Sequence, residues 1–502
     1  MAARPVNRRP RSARAAARPA GPAPDQADPL AGRPDPLADT IVAISTPPGR
    51  GGIGVVRLSG PRAAEIGGRL FRPAGKNGSA GAASAAGTDR PRFGALLGRD
   101  GGPIDHGYLV GFPADRAFTR ETTAEIWAHG SPAVLREMVE AAVAAGARPA
   151  TPGEFTMRAF LHGRIDATQA EAIRDLIEAR TVFQARVAHA QAMGAIGAEI
   201  DALKDRLVEV AARIEAAIEF AEEPDADRFV PQGGLLGELA EVRESIDRLA
   251  ASYDRGRLLR QGPLIAIVGA PNVGKSSIFN KLLGDSRAIV TSHAGTTRDA
   301  IEEGLDLGGV PVRLVDTAGL HAPEGAADLE AVRRARATID KADLLLLVID
   351  RSRPMEAGED ALIGGTAARR RLVVLNKRDL PDGSAGAADR LARHCVAIEV
   401  SALDGSGIDD LRRRVADLLG GGQGLAGVSH EEAMITSLRQ RDLLQRAAAS
   451  LRGAETAART GAGDEFWLLD LREAIDRLGE ITGAVTIDDL YGKIFSTFCI
   501  GK

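Results

Sequence analysis

The segment Gly269 to Ser276 reads GAPNVGKS, a glycine-rich loop that closes on a lysine and a serine. An apolar run, Leu264 to Val268, precedes it, and a helix-like stretch follows it. A strand, a loop of this kind and a helix in that order form a phosphate-binding turn. The glycines let several backbone N–H groups face one anion, and Lys275 adds a positive charge toward the outer phosphates. The sequence therefore predicts a nucleotide-binding α/β domain with a mostly parallel sheet.

Three further motifs follow in the order that GTP-binding domains show. Ser276 and Thr297 carry hydroxyls of the kind that Mg²⁺ prefers, and Asp316, which follows a strand-like run, would hold the ion's water shell. Asp379 offers a carboxylate that accepts from both N1–H and the amine of guanine. A single glycine-rich loop also occurs in ATPases, but four ordered motifs predict GTP. The residues predicted to contact GTP are Asn272, Val273, Gly274, Lys275, Ser276, Ser277, Thr291, Ser292, His293, Ala294, Gly295, Thr296, Thr297, Asp316, Thr317, Ala318, Gly319, Asn376, Lys377, Asp379, Ser401, Ala402 and Leu403.

Leu320 departs from the Ras-like pattern, in which a glutamine at this position orients the attacking water. Because leucine cannot orient water, the domain either binds GTP without useful hydrolysis or uses another catalytic group and another positive charge. Asn272 and the Gly-Thr-Thr switch that ends at Thr297 resemble the potassium-activated class of GTPases. That resemblance implies K⁺ beside the phosphates. Its predicted ligands are Asn272, Thr291, His293 and Thr296.

Three blocks outside this domain carry a more specific resemblance. They are Asp39 to Gly60, which includes Thr-Pro-Pro-Gly-Arg-Gly-Gly, then Arg148 to Ile173, and the terminal Phe498-Cys-Ile-Gly-Lys502. In this order, around an inserted GTP-binding domain, they resemble the tRNA-modification GTPase family MnmE (TrmE), over Asp39 to Lys502. A regulatory GTPase of the Era or Der type, acting in ribosome assembly, would share the nucleotide motifs but carries neither outer block. A folate-dependent enzyme with a merely regulatory GTP-binding domain is a third possibility.

The resemblance implies a multidomain protein of mixed α+β and α/β class. Residues 1–38 are expected to form a disordered basic extension, and residues 39–158 an N-terminal tetrahydrofolate-binding and dimerisation domain. A helical domain would comprise residues 159–259 and 423–502, interrupted by an inserted Ras-like P-loop GTPase domain, the G domain, at residues 260–422. Asp166 and Gln169 have the spacing of a capping box, which predicts a helix start. The sequence also predicts helix to Glu223 with a break within 191–197, and further helices over 429–461 and 465–482.

The same resemblance implies a homodimeric GTP hydrolase that works with an FAD-containing flavoprotein of the MnmG (GidA) family in a heterotetramer. Together they would add a carboxymethylaminomethyl or aminomethyl group to C5 of the wobble uridine of certain tRNAs. The one-carbon unit would come from 5,10-methylene- or 5-formyl-tetrahydrofolate, and either ammonia or glycine would supply the amine. Potassium-dependent pairing of the two G domains would couple hydrolysis to a change in the active centre.

The resemblance also implies site residues, at the positions of this sequence that match the family's motifs. The folate contacts fall on Arg57, Glu125, Arg164 and Lys502, and Arg164 stands where a lysine is also found. Cys499 would by base rate be a small buried hydrophobe, but the resemblance favours a thiolate that acts beside the folate. Glu330 is the predicted water-orienting carboxylate by alignment to the downstream Arg336 and Ala337. Asp328 and Glu324 are alternatives for that role.

Composition agrees with a bacterial cytoplasmic enzyme of about three domains, since the chain has 502 residues. Its only cysteines, Cys395 and Cys499, exclude a disulfide framework, and the absence of a long apolar run predicts no membrane span. The first 24 residues hold six arginines and no acidic residue, whereas the whole chain has a net charge of −4. Contacts with tRNA must therefore rest on local basic patches. A mitochondrial presequence fits this start less well, because large apolar residues are scarce there.

Overall fold

The computed structural model describes residues 37–74, 90–219, 234–284, 302–307, 310–316, 336–383, 396–419, 434–484, 494–495 and 498–501. The basic extension predicted for residues 1–38 therefore lies almost wholly outside the described residues. No helix within these ranges is long and apolar enough to cross a membrane.

The N-terminal part forms a seven-stranded sheet with helices on one face. Its elements are β1 (Ile41–Ile44), β2 (Gly51–Ser59), α1 (Ala63–Arg69), β3 (Phe71–Pro73), β4 (Arg92–Leu97), β5 (Pro103–Phe112), β6 (Thr123–Gly130), α2 (Pro132–Ala144) and β7 (Arg148–Pro149). The strand order is β3-β4-β5-β6-β2-β1-β7, with only β1 and β7 parallel. Alternation along β2 buries Val56 and Leu58 in the core that includes α1 and α2, and turns Arg57 to the opposite face.

A series of helices follows. They are α3 (Glu154–Leu161), α4 (Ala167–Glu178), α5 (Val182–Ala192), α6 (Ala195–Glu219), α7 (Gly234–Ala251) and α8 (Tyr253–Gln261). The capping box before α4 is confirmed, because the Asp166 side chain accepts from the Gln169 backbone and the Gln169 side chain accepts from the Asp166 backbone. The predicted break is confirmed as well. Gly194, between α5 and α6, has φ 93°, a left-handed conformation that glycine adopts without strain.

The G domain is a six-stranded sheet with alternating helices. Its elements are β8 (Leu264–Gly269), α9 (Lys275–Leu283), β9 (Glu302–Leu307), β10 (Val310–Asp316), β11 (Leu344–Asp350), α10 (Ala357–Gly365), β12 (Arg371–Asn376), β13 (Ala397–Glu399) and α11 (Ile408–Leu418). The order is β13-β12-β11-β8-β10-β9, and only β9 and β10 are antiparallel neighbours. The predicted, mostly parallel α/β sheet is confirmed. Its parallel strands direct their carboxyl ends to one edge, where such sheets bind ligands.

Two last helices, α12 (Leu438–Arg459) and α13 (Asp464–Thr482), return to the helices that precede the G domain. Together with α6 and α7 they bury one core, which includes Leu207, Ile246, Leu451 and Leu471. The expectation that helices from both sides of the G domain pack together is confirmed. The predicted helix start at residue 429 is wrong for residues 434–437, which form no helix. Their backbone is bound elsewhere: Ile435 N donates to Ser252 Oγ, and the Met434 carbonyl accepts from Gln191.

Candidate functional site

The phosphate-binding loop connects β8 to α9. Asn272 and Gly274 both have left-handed backbone conformations, with φ 62° and φ 96°. Asparagine tolerates this region, and a Cβ at Gly274 would overlap the Asn376 side chain. Helix α9 begins at Lys275 directly after this turn, so its unpaired N–H groups face the loop. The loop therefore presents a concave set of backbone donors suited to an anion.

Lys275 is held inside this loop. Its side chain is only 5% exposed, and Nζ donates to the Ala270 carbonyl over 2.7 Å. Burial lowers the pKa of Lys275, and the charge of Asp316 acts in the opposite direction. A bound polyphosphate would oppose the burial effect in the same way, because it adds negative charge beside the ammonium.

Ser276 and Asp316 meet at the end of the loop. Ser276 Oγ donates to Asp316 Oδ2 over 2.6 Å, although the two residues lie on different elements, α9 and β10. A hydroxyl and a carboxylate in this arrangement are hard oxygen donors, which is the chemistry that Mg²⁺ requires. The residues present thus fit the predicted magnesium site.

Asn376 connects three of the predicted motifs. Its Nδ2 donates to the Val273 carbonyl of the phosphate loop over 2.8 Å, and its Oδ1 accepts from the Ala402 backbone over 3.0 Å. Asp379 accepts from Ser401 Oγ over 2.6 Å, which orients its carboxylate. Leu403 is 79% exposed at the end of the same loop. The phosphate loop and the predicted guanine-binding loops therefore form one edge of the sheet.

The sequence analysis did not identify Asp350 as a site residue. It ends β11 at the edge where β8 and β12 also end, and its carboxylate lies 2.6 Å from Lys377 Nζ. Burial alone would raise the pKa of Asp350, but hydrogen bonds from Lys377 and Ser352 hold it below its usual value. Lys377 itself has φ 66°. An acidic residue directly after an apolar run was the sequence feature that could have identified this ion pair.

Other predicted residues lie outside the described part of the chain. They are Thr291, Ser292, His293, Ala294, Gly295, Thr296, Thr297, Thr317, Ala318, Gly319, Leu320, Glu324, Asp328, Glu330, Cys395 and Lys502.

A second group of predicted residues lies on the N-terminal sheet. Arg57 and Glu125 are register partners on β2 and β6, and Arg57 Nε is 2.9 Å from Glu125 Oε1. Trp127, which the sequence analysis missed, donates from Nε1 to Glu125 Oε2 over 2.9 Å. The Arg57 guanidinium lies 5.8 Å from the ring centroid of Phe155. A carboxylate has about four acceptor positions, so Glu125 can still accept from the amine and ring N–H of a pterin.

The end of the chain packs against the neighbouring strand. The Gly501 carbonyl accepts from Ser45 Oγ over 3.0 Å, and a Cβ on Gly501 would overlap the Ile44 carbonyl. On β1, Ala43 is the register partner of Arg57. Cys499 is exposed and unpaired by disulfide. The structure therefore brings the Cys-Ile-Gly segment to the strand beside Arg57, over a distance of more than 400 residues in sequence.

Helix α3 is anchored beneath this site by buried ion pairs. Arg158 is fully buried, with Nη2 2.5 Å from Asp39 Oδ1 and 3.1 Å from Glu154 Oε1, and Nη1 3.1 Å from Glu121 Oε1. Removing one partner of such a network leaves an uncompensated buried charge. The network fixes the helix that carries Phe155. Arg164 lies three residues beyond Leu161, the last residue of α3, whereas Phe155 is in the first turn of that helix.

Comparison with known proteins assigns the chain to one family across most of its length. A family model described as the MnmE helical domain matches residues 168–499, and one described as the GTP-binding protein TrmE N-terminus matches residues 40–164. The tRNA modification GTPase MnmE of Koribacter versatilis is 42% identical over 477 residues, covering 93% of this chain and 100% of that protein. The protein of the same description from Chloroflexus aurantiacus is 43% identical over 467 residues, with coverage of 93% and 100%. The solved structure of Aquifex aeolicus Era bound to GDP and aluminium fluoride is 25% identical, covers 39% of this chain and 66% of Era, and has a TM-score of 0.26.

Proposed function

The chain belongs to the MnmE family of tRNA modification GTPases, and from this membership we propose that it is a potassium-activated GTPase acting on wobble uridine. In the bacterial cytoplasm a homodimer joins an FAD-containing flavoprotein of the MnmG family in a heterotetramer. The complex adds a carboxymethylaminomethyl or aminomethyl group to C5 of the wobble uridine of certain tRNAs. A tetrahydrofolate derivative provides the one-carbon unit.

The observation that supports this proposal most is the position of the chain end. Gly501 packs against Ile44 of β1. The preceding residue of this strand, Ala43, pairs with Arg57 of β2. The segment that carries Gly501 and the exposed Cys499 therefore returns to β1, the strand that pairs with Arg57 of β2. A thiol on a segment that returns to this sheet supports a reaction on a folate bound at Arg57 and Glu125.

In this site Glu125 accepts from the aminopyrimidine side of the pterin, because it retains free acceptor positions beside Arg57 and Trp127. Arg57, Arg164 and Lys502 provide the positive charges for the glutamate tail. Cys499 acts as a nucleophile or as an acid-base group beside the folate. Its exposure gives a substrate access to the sulfur.

In the G domain, Ser276 and Thr297 would hold Mg²⁺, with Asp316 orienting its water shell, and Asn272, Thr291, His293 and Thr296 would hold K⁺. When bound, both ions would supply positive charge against the negative charge that develops on the phosphates. Asp379 selects guanine. Glu330 orients the attacking water, with Asp328 and Glu324 as the other candidates in the same segment. Hydrolysis drives a change in how the two G domains pair, and that change reaches the folate site.

The test is complementation of a strain that lacks its own member of this family, with mass spectrometry of wobble uridines. The parent protein should restore the modified uridine. Cys499→Ser should bind reduced folate and hydrolyse GTP but restore nothing, whereas Cys499→Ala at matched expression controls for the hydroxyl. Failure of the parent protein to restore the modification would contradict the proposed reaction. Full restoration by Cys499→Ser would instead remove Cys499 from the chemistry.

A further inference from the structure

The turn between α4 and α5 is held by hydrogen bonds to one side chain of α5. Thr181 caps α5 and forms a capping box with Gln184, whose Oε1 also accepts from the Arg180 backbone over 2.9 Å. The backbone N–H groups of Arg180 and Thr181 are thus held by the same glutamine.

This turn contacts the G domain at its base. Gln184 Nε2 donates to the Arg260 carbonyl over 2.8 Å, in the last turn of α8, just before β8 begins. Phe183 packs against the G-domain core that contains Leu305 and Leu307 of β9. One short segment of the helical domain therefore touches both the entry to the G domain and its hydrophobic core.

Arg180 lies across β9 itself. A Cβ at Gly304 would overlap Arg180 Nη1 and would be 2.8 Å from its Cζ and 3.0 Å from its Cδ. Only glycine leaves the space that this guanidinium occupies. Asp306, two residues further along β9, is on the same strand face as Gly304. Its carboxylate is opposite in charge to the guanidinium of Arg180.

Strand β9 leads to the magnesium-site residues through backbone pairing. It pairs with β10 so that Gly304 is opposite Arg313 and Glu302 is opposite Val315. The next residue of β10 is Asp316, which accepts from Ser276. The path from Arg180 to the proposed metal site thus runs through one strand pair.

We propose that Arg180 is a positioning residue for GTP hydrolysis: through Gly304 it sets the position of β9 and β10, and so the placement of Asp316 relative to Ser276. The inference rests on the proposed roles of Ser276 and Asp316. It also gives a route by which the helical domain senses the nucleotide, because a shift of Asp316 on ligand binding displaces the same contact.

Two substitutions break the contact from opposite sides. Arg180→Ala removes the guanidinium, and Gly304→Ala displaces it. Each should lower kcat for GTP hydrolysis roughly threefold to tenfold and raise the Mg²⁺ concentration for half-maximal hydrolysis by a similar factor, with GTP affinity within about twofold of the parent. The double variant should be no worse than either single variant, because both remove one contact. Arg186→Ala, an exposed arginine on α5, and Gly364→Ala, a glycine on α10 with open space around it, are matched controls.

The inference is overturned if Arg180→Ala leaves either kcat or the Mg²⁺ requirement unchanged, or if the two single effects multiply in the double variant. Arg180 is exposed, so Arg180→Ala decides the outcome even if Gly304→Ala does not fold. A parent protein without Mg²⁺-dependent GTP hydrolysis would contradict the proposed function itself. Normal parent hydrolysis with unaffected variants contradicts only the role of Arg180.

Discussion

At the scale of single residues, side chains of the G domain are paired with backbone groups of the nucleotide-binding loops. Asn376 donates to the phosphate loop and accepts from Ala402, and Lys275 donates to the carbonyl of Ala270 within its own loop. Asn272 has φ 62°, so its role includes a backbone conformation as well as an amide. A substitution at this position must remove the amide and keep the left-handed backbone, because alanine in the left-handed region costs about 1 kcal/mol.

Asn272→Gly makes that separation, since glycine keeps the left-handed turn and removes the amide oxygen. The parent protein should hydrolyse GTP faster in K⁺ than in Na⁺, and the variant should show a K⁺ to Na⁺ ratio of turnover close to one. GTP affinity should change little, because the backbone donors and Lys275 remain. Steady-state hydrolysis in the two salts measures this, with Asn280→Gly on α9 as the control. Equal turnover of the parent protein in both salts would contradict activation by potassium.

At the scale of elements, the two connections to the G domain meet at one buried carboxylate. Asp175 on α4 lies 2.8 Å from Arg260 of α8 and 3.4 Å from Thr436 in the returning segment. Burial raises the pKa of Asp175 to about 6, although Arg260 and Arg174 act to lower it. Glu171 and Glu178 on the same helix also raise the pKa of Asp175, because their negative charges repel its carboxylate. The charged form of Asp175 is therefore less favourable in the folded protein than in the unfolded chain.

Stability should depend on pH accordingly. Because the folded pKa is about 6 and the ordinary value is 3.8, the stabilising contribution of protonated Asp175 is complete below pH 3.8 and is lost as pH rises through 6. Asp175→Asn does not titrate, so its free energy of unfolding relative to that of the parent should increase by about 2 kcal/mol between pH 4 and pH 7. Urea unfolding across this range measures the difference, with the exposed Asp201→Asn as the control. A difference that stays constant with pH would show that Asp175 titrates normally.

At the scale of the whole molecule, the proposed folate site would be assembled from the two ends of the described chain. Phe495 and Phe498 pack near Gly153, before α3, and Gly501 packs on Ile44. After the helices and the G domain, the chain thus returns to β1 with its terminal segment.

Gly501→Ala tests the return of the terminus. Its φ is 99°, and the added Cβ would overlap the Ile44 carbonyl, so the terminal segment should undock. Binding of 5-formyl-tetrahydrofolate, measured by calorimetry, should weaken at least roughly tenfold, or about 1.4 kcal/mol. GTP hydrolysis should not change. Ile500→Ala, at a residue that is 60% exposed, is the control. Unchanged folate affinity of Gly501→Ala would show that the terminal segment is not part of the folate pocket.

The sequence by itself determined the features that depend on residue type at short range. The phosphate loop, the capping box at Asp166 and the break near Gly194 were predictable because each needs a glycine, a cap or a charge at a set spacing. The alternation of strand and helix likewise predicted the mostly parallel sheet of the G domain. The family followed from blocks of sequence that are individually local.

Only the tertiary structure decided which distant groups meet. Trp127 bonds Glu125 and Gly501 packs on Ile44, although no spacing in the sequence indicates these contacts. Residues 434–437 illustrate the reason. Their composition suited a helix, but Ser252 and Gln191 take backbone groups that a helix would have used. Local preference amounts to a few tenths of a kcal/mol per residue, and buried hydrogen bonds supplied by another element outweigh it.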